Sequence, residues 1–222
     1  MQVAQLRQHR GLLFVTLEDG DWMIDTGCPY TYSPAGRIAI DGVEREIRRD
    51  FGVPVSRIAE ETGQPVCGML GSDVLGTHDV IFDAPHAQIT FSRDTLRMDG
   101  ALAPLRRSGH GESCSVRLGG IELTLFVDTG SELTFINHAA LEQYPDQGAF
   151  EDFSPFFGAF TVQTHRAPVE IAGRTETLRC GRLPPAMAGP LLQDGADGVL
   201  GSEILLGRRA GYFARRGALF LG

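Results

Sequence analysis

A pentapeptide that occurs twice constrains this chain more than any other feature. Met23-Ile24-Asp25-Thr26-Gly27 returns as Phe126-Val127-Asp128-Thr129-Gly130, 103 positions later. An octet lies downstream of each copy: Gly68-Met69-Leu70-Gly71-Ser72-Asp73-Val74-Leu75 returns as Gly198-Val199-Leu200-Gly201-Ser202-Glu203-Ile204-Leu205. Every octet position is identical or conservatively changed. One Asp-Thr-Gly arises by chance; two, each with the same octet downstream, mark a duplicated unit. At 222 residues the chain has room for two lobes, each of about 100 residues.

The flanks repeat as well. Leu13, Val15 and Leu17 alternate as in a strand and lead to a turn at Glu18-Asp19-Gly20-Asp21. Val116 and Leu118 do the same before Gly119-Gly120, and Ile121, Leu123, Leu125 and Val127 follow that turn. Each Asp-Thr-Gly therefore closes the second strand of a hairpin. After each octet another hairpin is expected, from 79–83 with 88–91 and from 210–213 with 218–221. Helical signals are short, at 56–62, 72–75, 138–144 and 202–205. The class is mostly β. Residues 1–92 read as an N-terminal lobe, 93–112 as a polar, Gly-bearing linker, and 113–222 as a C-terminal lobe.

Composition excludes several functions. The net charge is −8 and no stretch is dense in Arg, so a nucleic-acid surface is not expected. No apolar run reaches the roughly 18 residues of a membrane helix. Met1 to Arg7 lacks the apolar core of a signal peptide, so a soluble protein of the bacterial cytoplasm is expected. Cys28, Cys67, Cys114 and Cys180 show no Cys-x-x-Cys spacing, and the six His are scattered. Free thiols are expected, with no metal and no cofactor.

Two aspartates brought to one point suggest a chemistry. Water cleaves an amide when one group takes its proton and another polarises the carbonyl. Asp25 and Asp128 suit this pair of roles if they share one water. Carboxyls that close cannot both ionise, so one proton is shared and the titration belongs to the pair. Gly27 and Gly130 permit tight backbone approach beside the carboxyls. Thr26 and Thr129 offer hydroxyls that can bond backbone.

On these motifs the chain resembles the pepsin–retropepsin superfamily of aspartic peptidases, over nearly its whole length. The resemblance implies a two-lobed, acid-protease-like β-barrel fold with short helices and the active site between the lobes. It implies that Met69-Leu70-Gly71 and Val199-Leu200-Gly201 form the ψ-shaped loops behind the dyad. It also implies that Thr26 and Thr129 interlock beneath it. The stretch from Gly158 to Gly173 resembles the return strand of a retropepsin flap. Phe156, Phe157, Gly158, Ala159 and Phe160 are then flap and substrate contacts, with residues 157–159 near the tip.

The two halves are unequal. Asp25 to Gly71 spans 46 positions and Asp128 to Gly201 spans 73, a difference the size of one long hairpin. A single flap on the C-terminal lobe is expected, with only a short hairpin at 38–44 around Asp41-Gly42 in the other. Cys28 follows the first Asp-Thr-Gly and Ser131 the second. A serine hydroxyl donates better than a thiol, so Asp128 is expected to be the ionised partner and Asp25 the protonated one.

The expected function is an aspartic endopeptidase acting on peptides or proteins. Both carboxylates come from one chain, so a monomer suffices, and a homodimer is compatible with this. The alternative is a catalytically inactive peptide-binding relative, against which the two intact loops argue. A serine or cysteine hydrolase lacks support, since there is no Gly-x-Ser-x-Gly elbow.

Overall fold

The computed structural model describes residues 1–108, 111–154 and 156–222. The N-terminal half runs β1 (Gln2–His9), β2 (Leu12–Leu17), β3 (Gly20–Ile24), the hairpin β4 (Arg37–Ile40) and β5 (Val43–Glu46), helix α1 (Val55–Thr62), β6 (Gly68–Leu70), helix α2 (Ser72–Leu75), β7 (Asp79–Asp83) and β8 (Gln88–Ser92). Strand β9 (Ala101–Ser108) follows. The second half runs β10 (Gly111–Leu118), β11 (Ile121–Val127), β12 (Thr134–Ile136), β13 (Asp146–Ser154), β14 (Gly158–Ile171), β15 (Arg174–Gly181), helix α3 (Pro185–Gln193), β16 (Gly198–Leu200), β17 (Arg209–Phe213) and β18 (Ala218–Leu221).

The two Asp-Thr-Gly repeats have matching strand pairing. β3 lies parallel to β6, with Met23 opposite Met69 and Ile24 opposite Leu70. β11 lies parallel to β16, with Phe126 opposite Val199 and Val127 opposite Leu200. β2 and β10 flank these pairs antiparallel. Burial explains the order: β2 is buried at every position except Thr16, as suits an apolar strand covered on both faces. The C-terminal hairpin β17–β18 does not stay within its own half. β17 pairs with β7 and β18 with β9, which joins the halves through one continuous sheet.

Two features differ from the sequence reading. Within 93–112, read as a linker, β9 pairs with both β10 and β18; Ala103 and Leu105 are buried there, and this alternation was masked by the polar residues around it. Gly109 and His110 of that stretch lie outside the described residues. Helix α3 was not anticipated, because Pro185 and Pro190 obscure a helical pattern; Pro185 stands at its start, where a missing amide proton costs nothing.

The hairpin expected at 38–44 is β4–β5. Asp41 and Gly42 take φ values of 55° and 71°, the left-handed pair that a tight two-residue hairpin turn requires. Ile38 and Ile40 are buried in the main core, and the Asp41 amide donates to Gln2 at 2.6 Å. This hairpin is packed down. The opposite holds for β13–β14. No residue of β13 is buried, and β14 begins its buried alternation only at Val162. The outer half of that hairpin therefore stands away from the core. Among the described residues no helix is long and apolar enough to cross a membrane.

Candidate active site

Each aspartate sits where a strand runs out against its ψ-loop. The Asp25 amide donates to Leu70 O and the Asp128 amide to Leu200 O, both at 3.0 Å. The chain then turns. Cys28 N bonds Asp25 O and Ser131 N bonds Asp128 O, both at 3.3 Å. Gly71 N donates to Thr31 Oγ1 at 2.9 Å, and Gly201 N to Thr134 Oγ1 at 3.2 Å. The two loops are copies of one geometry.

Thr26 and Thr129 tie the copies together. Thr26 N donates to Thr129 Oγ1 (3.0 Å) and Thr129 N to Thr26 Oγ1 (2.9 Å). Their hydroxyls donate onward to Val127 O (2.8 Å) and Ile24 O (3.0 Å). Both threonines are buried. This lattice places the loops face to face. A Cβ added to Gly27 would lie 2.4 Å from the Asp128 carboxyl carbon, and one on Gly130 would lie 2.5 Å from that of Asp25. No side chain other than hydrogen fits there.

The carboxyls bond each other, and their surroundings are unequal. Asp25 Oδ1 accepts from Cys28 N, and Asp128 Oδ1 from Gly130 N, each at 2.8 Å. Burial raises the pKa of Asp25, while hydrogen bonds from Asp128 and from the Cys28 and Gly27 amides oppose the rise. Burial raises Asp128 further, and the Asp25 charge and the hydrogen bond to it add to the rise. Both shifts run upward, as expected of two neighbouring carboxyls that share one proton, and the titration belongs to the pair. The donor on which the sequence expectation for the proton order rested is engaged elsewhere. That expectation gave Ser131 as donor to Asp128, but its hydroxyl donates to Leu133 O at 2.8 Å. Cys28 Sγ makes the matching contact with Tyr30 O at 3.1 Å. Both side chains brace their own loop, and burial keeps Cys28 a protonated thiol. All four cysteines are free.

The dyad floors a cavity of about 460 Å³ between the halves. Met23, Tyr32, Val53, Ile58 and Met69 line one side; all are buried members of a small apolar cluster. Phe135, Phe160, Leu183, Leu191 and Val199 line the other. Phe156 and Phe157 border it from the turn of β13–β14 and are 66% and 56% exposed. Gly158 opens β14 with φ of 80°, and Ala159 pairs with Phe153. Phe160 packs on Phe135, with ring centroids 6.2 Å apart, so it is a wall of the cleft rather than part of the tip.

Several cleft residues had no signal in the sequence. Phe51 and Val53 come from the stretch entering α1, Ile58 from α1 itself, and Met187 and Leu191 from α3. Glu132 and Asp152 also line the cavity. Burial first, and the nearby Asp152 charge second, push Glu132 up to about 7. Among the described residues no group of three His, Cys, Asp or Glu converges to hold a metal.

No protein-family model and no curated protein matches the chain. A solved structure of an aspartic proteinase from Irpex lacteus is similar over 100% of this chain and 96% of its own, at TM-score 0.54 and 13% identity. A protease from Simian Foamy Virus (mac) matches over 36% of this chain and 94% of its own, at TM-score 0.27 and 17% identity. The likeness to the Irpex lacteus proteinase is one of fold: the chain has the mostly β, two-lobed, pepsin-like architecture.

Proposed function

We propose that this chain is an aspartic endopeptidase whose catalytic groups are Asp25 and Asp128. One observation carries the reading: two copies of one loop hold two half-buried carboxyls side by side at the floor of a cavity of about 460 Å³ with largely apolar walls.

We assign the proton to Asp128, the carboxyl raised further, and the roles follow. A water held between the carboxyls gives a proton to ionised Asp25 as its oxygen attacks the peptide carbonyl carbon. Protonated Asp128 gives its proton to the carbonyl oxygen, which forms a tetrahedral diol. Asp25 then passes its proton to the leaving nitrogen, the C–N bond breaks, and a diol proton returns to Asp128. The pair ends as it began, one proton between two carboxyls. The apolar walls favour large apolar side chains beside the scissile bond. One chain supplies both carboxyls, so a monomer is the active unit.

The test is cleavage of a fluorogenic peptide library. Turnover that a statine-type inhibitor blocks, and that persists per molecule on dilution, supports the reading. Peptide binding without cleavage at any pH between 3 and 8 would replace it with an inactive peptide-binding protein. Loss of specific activity on dilution would overturn the monomer.

A further inference from the structure

The flap hairpin belongs to the second half of the chain but ends on the first. Phe156 meets Phe51 edge-on, with ring centroids 5.9 Å apart and planes at 85°. Phe51 is braced from behind. Tyr30 stands edge-on to it at 5.0 Å, and the Arg48 guanidinium covers the Tyr30 ring at 3.9 Å. A second contact lies alongside. The Arg57 guanidinium sits 4.9 Å over the ring of Phe153 on β13, and Glu61 holds Arg57 in an ion pair at 2.6 Å.

These contacts suit a lid that must both open and close. A flap admits the peptide when open, and excludes water and positions the peptide when closed. The first half carries no second hairpin over the cleft: none of residues 33–50 lines it. Whatever holds the flap down must therefore come from the surface it lands on. Edge-on aromatic pairs and exposed cation–π contacts are individually weak and reform without repacking a core. Both landing residues stand on supported ground, Phe51 on Tyr30 and Arg57 on α1, whereas the outer half of the flap has no buried residue to fix it.

We propose that Phe51 and Arg57 form a latch that receives the flap through Phe156 and Phe153, which makes them positioning residues for substrate closure although neither belongs to an Asp-Thr-Gly loop. The latch stands in for the second flap that the shorter half lacks. It biases the flap toward the closed state and leaves the dyad itself unchanged.

The kinetic test rests on the peptidase reading; a hydrogen-exchange test does not. Phe51→Ala and Phe156→Ala should each raise KM for a fluorogenic peptide about five- to tenfold, with kcat changed less than about twofold. The double variant should be no worse than the worse single, and Phe51→Tyr should restore KM. In the free protein, Phe51→Ala should speed amide exchange across 146–165 and leave β10 and β11 as they were. Phe156 is exposed, so its variant tests the contact without endangering the fold. Additive losses in the double variant, or unchanged exchange in the flap, would overturn the latch. If no form cleaves any peptide, the peptidase reading fails and the exchange result alone decides the latch.

Discussion

The segments from Asp25 to Gly71 and from Asp128 to Gly201 are two copies of one unit put to different uses. Their loops share the same ψ-loop carbonyl, the same turn and reciprocal threonines. Their outer parts do not. The first spends its intervening chain on a small hairpin buried at Ile38 and Ile40 and on a cleft-facing helix. The second adds a long hairpin whose outer half leaves the core and meets the first half at Phe51. The residues that meet across the interface are alike in the two halves, because each threonine both donates to and accepts from the other half. The dyad shares in that asymmetry, since the Cys28 amide bonds one carboxyl and the Gly130 amide the other.

The largest expected effect would break the equivalence of the aspartates. Asp25→Asn removes the base and should lower kcat/KM about 10⁴-fold, whereas the amide of Asp128→Asn can still donate and should cost about 10³-fold. Steady-state kinetics with both variants checks the order, and the reverse order would refute the proton assignment.

The threonines test the symmetry in the opposite sense. Thr26→Val and Thr129→Val each strand a buried amide and a buried carbonyl of the other copy. Each should cost about 3 kcal/mol in urea unfolding. Equal losses uphold the two-fold relation; losses differing by more than about 1 kcal/mol would break it.

Glu132 has no acidic counterpart, since Pro29 stands at the matching position. Its pKa rises on folding from 4.5 to about 7, so the folded state binds the extra proton in that window. Its contribution to stability is fully present below pH 4.5 and is lost as pH rises through 7. Glu132→Gln should flatten the fall in Tm over this range. A variant with the same slope as the parent would show that Glu132 is not the group responsible.

The smallest effect concerns Cys28. Its thiol makes the same loop contact that the Ser131 hydroxyl makes in the other copy. Cys28→Ser should leave the pH–rate profile in place and kcat/KM within about twofold. A displaced profile would mean that the residue acts on Asp25 after all.

Much of the machinery was legible in the order of residues. The hairpin alternations, the Asp41-Gly42 turn and the short helices at 56–62 and 72–75 depend on neighbours within a few positions. So did the Asp-Thr-Gly loops, because only glycine tolerates the close approach at Gly27 and Gly130. Strand β9 was missed because its alternation is short and set among charged residues. Helix α3 was missed because prolines at its start and within it read as breaks. Phe51 and Arg57 carried no signal, since an aromatic ahead of a helix or a cation within it is ordinary surface until a partner arrives.

By itself the sequence determined a duplicated, mostly β chain with two aspartates poised at strand ends, because strand periodicity and glycine geometry are local properties. Only the tertiary structure decided which amide bonds each aspartate, where Ser131 turns its hydroxyl, and which surface the long hairpin meets. Those outcomes depend on burial and on groups about a hundred residues apart, whose separation in space no local pattern records.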